Sequence, residues 1–146
     1  ETENYEKYGV LYNWPAALTA CPDGWHIPSD DEWKQMEMFI GMSPSEADGT
    51  EWRGTDEGSK LKATSGWNEF NGIDGNGTDN YGFSALPGGY CIRDGFRYVG
   101  ERGYWWSATE YGSNNVWFRI MPSYNAAVNR TNADKGMGFS VRCVRD

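Results

Sequence analysis

Two blocks of aromatic and β-branched residues bracket the last third of the chain, and they constrain its fold more than any other stretch. Tyr104-Trp105-Trp106 opens the region and Phe139 to Val144 closes it. Such side chains pack well on a pleated surface, so both blocks read as buried strands. Between them runs Tyr111 to Met137, rich in Asn, Ser, Tyr and Arg and without a catalytic pattern. Rigid aromatics supply contact area and small polar groups supply adaptable hydrogen bonds, which is the makeup of a contact surface. The stretch reads as a scaffold displaying a recognition surface, not as the centre of an enzyme.

The remaining composition fits that reading. A chain of 146 residues suits one domain, which at this size buries roughly 70% of the surface its unfolded form exposes. Eight Trp and nine Tyr predict a core of a few large rings, and nineteen Gly with six Pro predict many turns and short elements. A net charge of −8 disfavours nucleic acid or an anionic membrane as partner, because no basic face is available to neutralise phosphates. No apolar run approaches the roughly 18 residues a spanning helix needs, so membrane insertion is not expected. The chain begins at Glu1 without Met. It reads as a mature protein or an excised domain, and the lack of a signal peptide says little.

Taken in order, residues 1–7 read as an extended lead-in and Tyr8 to Tyr12 as a short strand. Asn13 to Cys21 reads as a short helix with Asn13 as N-cap and Pro15 in its first turn. Trp14, Ala17, Leu18 and Cys21 would share its inner face. Ser29-Asp30-Asp31-Glu32 is a capping box, and Trp33, Met36, Phe39 and Ile40 give the following helix an apolar face that Gly41 ends. Asp30 and Asp31 are read as complementing the helix dipole rather than as catalytic or metal-binding acids. Residues 44–80 look like loop, anchored by Trp52, Leu61 and Trp67. Within it Asp74, Asn76, Thr78 and Asp79 faintly resemble a calcium loop, but the order departs from the EF-hand and lacks its closing Glu. A glycine-rich turn is the preferred reading, with no cofactor expected. Asn76-Gly-Thr78 and Asn129-Arg-Thr131 match the glycosylation sequon, which matters only in a secretory eukaryotic host. Asp94-Gly95 marks a hairpin turn, and strands are expected over 104–108, 116–121, 127–130 and 139–144. Early helices followed by short antiparallel strands make an α+β pattern.

Cys21, Cys91 and Cys143 form no Cys-x-x-Cys motif, and the single His26 cannot complete a zinc site. A bridge from Cys21 to Cys143 would contribute about 4–5 kcal/mol in the chain-entropy model and would place folding outside a reducing cytoplasm. Three buried thiols in a cytosolic protein remain the alternative. Cys91 is expected to be buried and unpaired.

Several motifs, in order through nearly the whole chain, carry a family resemblance. They are Tyr12-Asn-Trp-x-Ala-Ala17, Cys21-Pro-x-Gly-Trp-His-Ile-Pro-Ser-x-x-Glu-Trp33, Lys60-Leu-Lys62, Gly82-Phe-Ser-Ala-Leu-Pro-Gly-Gly89, Tyr104-Trp-Trp-Ser107 and Gly138-Phe-Ser-Val-Arg-Cys-Val-Arg-Asp146. Together they resemble the Fibrobacter succinogenes major paralogous domain, which belongs with the C-type lectin-like fold near the formylglycine-generating enzymes. The resemblance implies a single C-type lectin-like domain over 1–146, with two short helices around a small twisted antiparallel sheet and long irregular loops. It also implies a disulfide between Cys21 and Cys143, and a place in secreted or surface-attached bacterial proteins. The chain departs from its better-known relatives. It has no second thiol near Cys91 of the kind formylglycine-generating enzymes use, and none of the Glu-Pro-Asn, Gln-Pro-Asp or Trp-Asn-Asp motifs of calcium-dependent lectins. The C-terminal third further resembles the variable proteins of diversity-generating retroelements, in which adenine-directed change makes Asn codons hypervariable. Asn114, Asn115, Asn125, Asn129 and Asn132 would then be unmutated template positions.

The resulting expectation is a non-enzymatic, secreted or cell-surface module serving adhesion or ligand binding. Its partner would be a protein or glycan on another surface. The expected contact residues are Trp117, Arg119, Met121, Ser123, Tyr124, Asn125, Arg130 and Thr131, with Trp117, Tyr124 and Arg119 as anchors because large aromatics and Arg dominate interface energies. Strand alternation places Trp117, Arg119 and Met121 on one face and Phe118 and Ile120 on the other. The alternative is a carbohydrate-binding module whose Trp residues include a sugar-stacking platform. An enzyme of the formylglycine-generating branch fits poorly, since Cys91, Arg93, Asp94 and His26 form no nucleophile–base set. A purely structural role, such as a building block of a surface appendage, is compatible with the binding reading.

Overall fold

In the computed structural model residues 2–93 and 95–146 are described, the Thr2 side chain excepted; Asp94 of the expected hairpin turn lies outside them. The elements in order are α1 (Thr2–Tyr8), α2 (Trp14–Ala17), β1 (Trp25–His26), α3 (Asp30–Phe39), α4 (Pro44–Asp48), β2 (Glu51–Arg53) and α5 (Glu57–Leu61). They continue with β3 (Tyr90–Ile92), β4 (Gly95–Arg97), β5 (Arg102–Tyr111), β6 (Asn115–Pro122), β7 (Val128–Asp134) and β8 (Val144–Arg145). The architecture is α+β with antiparallel sheets. A four-stranded sheet in the order β2-β7-β6-β5 is accompanied by the pairs β1-β8 and β3-β4.

Local sequence signals account for most of the helix starts. Asn13 caps α2 by accepting from Ala16 N–H, and Ser29 and Glu32 form the complete capping box of α3. A second capping box, Ser43 with Glu46, starts α4 within the stretch expected to be loop. That stretch also holds β2 and α5. The lead-in is helical rather than extended, as α1, and of the expected first strand only Tyr12 bridges, to Phe139. The last block likewise makes isolated bridges at Phe139 and Ser140 before the short β8.

Two clusters hold the sheet, one on each face. Trp33, Ile40, Leu61, Trp67, Trp105, Met121 and Val128 fill the inner side, against α3. Trp14, Ala17, Ile27, Tyr104, Trp106, Val116, Phe118 and Phe139 fill part of the outer side, where Trp106 and Phe139 lie 4.2 Å apart. Each such ring removed from water contributes about 1.5–3 kcal/mol. Helical periodicity misplaces one residue in each of two helices: Phe39 is 79% and Leu18 43% exposed. α2 is a single turn, and in α3 the inward positions go instead to Asp30 and Glu37. The disulfide joins Cys21 to Cys143 across 122 residues of chain, next to the β1–β8 pair. Cys91 is free and half-buried rather than buried, with its backbone paired to Gly138.

Candidate functional site

The two faces of the four-stranded sheet differ in chemistry. In an antiparallel ladder directly opposed residues share a face. The pairs Arg119↔Arg130 and Arg53↔Val128 therefore put three guanidinium groups on the inner face. Two acids of α3 meet them. Arg119 donates to Glu37 at 2.6 Å and to Asp30 at 2.7 Å, Arg130 to Asp30 at 2.7 Å, and Arg53 to Glu37 at 2.8 and 2.9 Å. Burial alone would raise the Asp30 pKa, but hydrogen bonds and charge from Arg130 and Arg119 hold it at about 2. Asp30 is thus an interior ion partner as well as an acid in the first turn of α3, a role that its helix-dipole reading did not include. Asp31 alone stays exposed.

This network also relocates half of the expected contact residues. Arg119 and Met121 are fully buried, and Ser123 and Arg130 nearly so. Their side chains present no contact surface: Arg119, Met121 and Arg130 lie on the face α3 covers, and Ser123 packs against Gly75. Trp117 is half-buried on the same side, with Arg130 stacked 3.8 Å from its ring centre and Tyr111 at its edge. The expected alternation along β6 is present; the covered face is the one expected to be open.

On the outer face, α2 and the Phe139 segment cover one part, and the rest is open. The register places Arg102 and Tyr104 of β5, Ile120 of β6, Asn129 of β7 and Trp52 of β2 on this side. Loops add Phe70, Tyr98 and Tyr124. Trp52, Phe70, Tyr98 and Tyr124 are each between 41 and 47% exposed. They form a continuous track: Tyr124 lies 5.2 Å from Phe70 and 6.4 Å from Trp52, and the Arg102 guanidinium sits 5.4 Å from Tyr124 and 4.2 Å from Tyr98. Burial raises the pKa of Tyr104 beneath, against the opposing pull of Arg102, so its hydroxyl stays protonated at neutral pH.

The surrounding structure fixes these groups. Lys62, stacked on Trp67, donates to the carbonyls of Pro122 and Asn125 and so props the turn that carries Tyr124. Asn125 Oδ1 closes that turn by accepting from Ala127 N–H. Gly100, at φ +84°, lets the chain turn between Tyr98 and Arg102, and a Cβ there would lie 2.8 Å from the Asn68 side chain. Glu51 and Tyr98, at opposite ends of the track, hold positive φ of 62° and 58°. Side-chain-bearing residues in that region carry strain that clusters at functional sites.

Polar satisfaction singles out the same place. Among the described residues three buried side-chain polar atoms lack a partner: Arg53 Nε, Arg102 Nε and Asn129 Oδ1. Two of the three belong to the open outer face. Asn129 is only 4% exposed, and its amide nitrogen reaches Glu51 at 3.4 Å. A buried unpaired acceptor costs about 1–3 kcal/mol, so each such atom demands an explanation.

Of the expected contact residues, Tyr124 lies on this track, Thr131 is half-buried on the same face, and Asn125 supports it. Trp52, Phe70, Tyr98, Arg102 and Asn129 were not among them. The sequence marks Asn129 only as a template and sequon position and Trp52 only as a loop anchor, and it carries no signal for Phe70, Tyr98 or Arg102 as contact residues. The faint calcium loop is held by its own bonds: Asp74 accepts from Asn76 N–H, Asn76 from Trp67 N–H, and Asp79 from Ser84. Among the described residues no three His, Cys, Asp or Glu side chains gather as a metal site. Among the described residues no helix is long and apolar enough to cross a membrane.

The chain belongs to the Fibrobacter succinogenes major domain family, whose profile matches residues 1–145. No curated protein and no solved structure matches it.

Proposed function

Starting from that membership, we propose that the chain is a non-enzymatic ligand-binding module of a secreted or bacterial cell-surface protein, and that its recognition surface is the open outer face. The observation that carries this reading is the track of exposed rings around two unpaired buried polar atoms. Large aromatics and Arg dominate binding energy at interfaces; three of the four rings here belong to Trp or Tyr, and Arg102 lies against two of them. The disulfide supports a location outside a reducing cytoplasm. We read the fold as C-type lectin-like, with helices against an antiparallel sheet and a disulfide from the first segments to the last. Diversification by a retroelement is the finer form of this reading. It draws on Asn125 and Asn129, which border the face, whereas Asn114, Asn115 and Asn132 lie at the far end of β6 and β7. A near-copy of the DNA for residues 105–146, differing mainly at adenines and beside a reverse transcriptase gene, would support it; a neighbourhood without one would remove it.

The binding reading is tested on an array of immobilised glycans and bacterial surface proteins, probed with labelled wild type and the Trp52→Ala/Tyr124→Ala variant. Wild type is expected to bind at least one feature saturably, and the variant about tenfold or more weakly. Both rings are substantially exposed, so the variant should unfold within a few degrees of wild type. Equal binding by the two proteins would overturn the assignment of the surface.

A further inference from the structure

A cleft between α1 and the β3–β4 hairpin shares no residue with the outer track. We propose that it is a second binding site, for one neutral and largely aromatic small molecule of about three rings. Its fate is independent of the recognition surface above.

The course of the chain opens this cleft. Tyr5 and Tyr8 stand three residues apart on α1 and so share a side of that helix. Gly9, at φ +75°, turns the chain out of α1, and Val10 and Leu11 continue the same wall. Opposite them, Cys91 and Phe96 are directly opposed in the β3–β4 ladder, so both side chains leave one face of the hairpin. The hairpin's other face is committed to the core, where Tyr90 lies 5.1 Å from Tyr104 and 6.4 Å from Phe139. Gly88 forms a buried floor, where a Cβ would meet Tyr8 at 3.5 Å and Leu11 at 4.0 Å. Between these walls lies a cavity of about 430 Å³.

Size, lining and charge select the occupant. A dry apolar cavity of about 150 Å³ holds one benzene. The volume here corresponds to about three such rings, more than any single side chain of a partner protein would bring. It also falls within the range of about 300–1,000 Å³ usual for small-molecule sites. Tyr5, Tyr8 and Phe96 offer ring faces and edges for offset or edge-to-face contact. Tyr5, Val10 and Phe96 are left 63, 45 and 65% exposed around the one cavity, an apolar rim that a bound molecule would cover. Among the described residues that line the cleft none is charged, so an ionised ligand would lose its water without gaining a partner. Asn4 and the free Cys91 thiol supply polar atoms for a single hydroxyl or amino group.

The test is fluorescence titration of the full chain with N-phenylnaphthylamine, an uncharged three-ring probe that brightens in apolar surroundings, and with its sulfonated analogue. The uncharged probe is expected to saturate a single site with Kd below about 100 μM, and the sulfonated one to bind about tenfold more weakly. Phe96→Ala removes part of the wall and Gly88→Leu fills the floor, and each is expected to weaken binding about tenfold. Phe96 is mostly exposed, so its variant should stay folded even where Gly88→Leu does not. Occupancy should also slow alkylation of Cys91 by iodoacetamide about fivefold or more, because the thiol lies in the same cleft. Absence of saturable binding, equal binding by the Phe96→Ala protein, or an unchanged alkylation rate at saturation would each overturn the proposal. Tighter binding of the sulfonated analogue would overturn the neutral class. A chain that sediments as a dimer, becomes monomeric on Phe96→Ala and leaves the probe unbound would assign the cleft to a second copy of the chain, and the proposal would fall.

Discussion

The inner and outer faces of the same four strands solve the problem of polar side chains in opposite ways. On the inner face, Arg53, Arg119 and Arg130 are enclosed, and Glu37 and Asp30 meet them at 2.6 to 2.9 Å. On the open part of the outer face, Arg102 and Asn129 keep polar atoms that nothing in the protein satisfies, among rings that water still reaches. Charge alone would have pointed to the inner face as the site, since it holds five ionised groups. Hydrogen-bond satisfaction points the other way. The inner network is enclosed and leaves one atom, Arg53 Nε, unpaired, whereas the outer face leaves two beside rings that solvent reaches.

The largest expected effect follows from the inner face. Glu37→Ala would strand Arg119 and Arg53 without their shared carboxylate, and losing one partner of a buried pair costs about 3–5 kcal/mol. Denaturant unfolding followed by tryptophan fluorescence measures it. A loss below about 1 kcal/mol would break the contrast, because the inner charges would then not be structural. Trp52→Ala and Tyr124→Ala give the opposite pattern, weak on stability and strong on binding.

Acid titration sharpens the same point with a smaller effect. Asp30 is held at about 2 in the folded chain against an ordinary value of 3.8. Its contribution is therefore present above the ordinary value and disappears as pH falls through 3.8 toward 2. The shift corresponds to about 2 kcal/mol. Carbon-13 NMR of the Asp30 carboxyl should show it ionised until pH nears 2; titration near 3.8 would mean the guanidinium contacts do not hold in solution.

How much of this was legible in the sequence depended on whether the signal was local. The capping box at Ser29, the cap at Asn13, the β3–β4 hairpin and the strands β5, β6 and β7 all rest on neighbours in the chain, and each is present. Alternation along β6 correctly grouped Trp117, Arg119 and Met121. Alternation cannot say which group is covered, and that depends on α3, eighty or more residues earlier in the chain. The buried acids were hidden for a related reason. An apolar-period reading of α3 scores Asp30 and Glu37 as solvent-facing and Phe39 as inward, while their partners on β6 and β7 reverse two of those assignments and leave Phe39 outside. The outer track was scattered over four segments, so no single window contained Trp52, Phe70, Tyr98 and Tyr124. Only the pairing of β2 with β7 brings Trp52 beside Asn129.

The smallest expected effect concerns the contact that joins the two sides. His26 lies outside both faces, with Nε2 2.8 Å from Glu32 in the cap of α3 and Nδ1 2.6 Å from Asp146, beyond the segment that covers part of the outer face. Hydrogen bonds to Asp146 first and Glu32 second raise its pKa above the ordinary value of 6.5. A raised histidine pKa means that the protonated form is favoured on folding. The contribution is fully present below 6.5 and lost as pH climbs through the folded-state value. Because the imidazole is solvent-exposed, the effect should be slight and screened by salt. Wild type should lose a little thermal stability on going from about pH 6 to pH 8 at low ionic strength, and His26→Gln should lose less. Parallel curves for the two proteins would show that the His26 contacts add nothing to stability beyond the Cys21–Cys143 bridge and the β1–β8 pairing beside them.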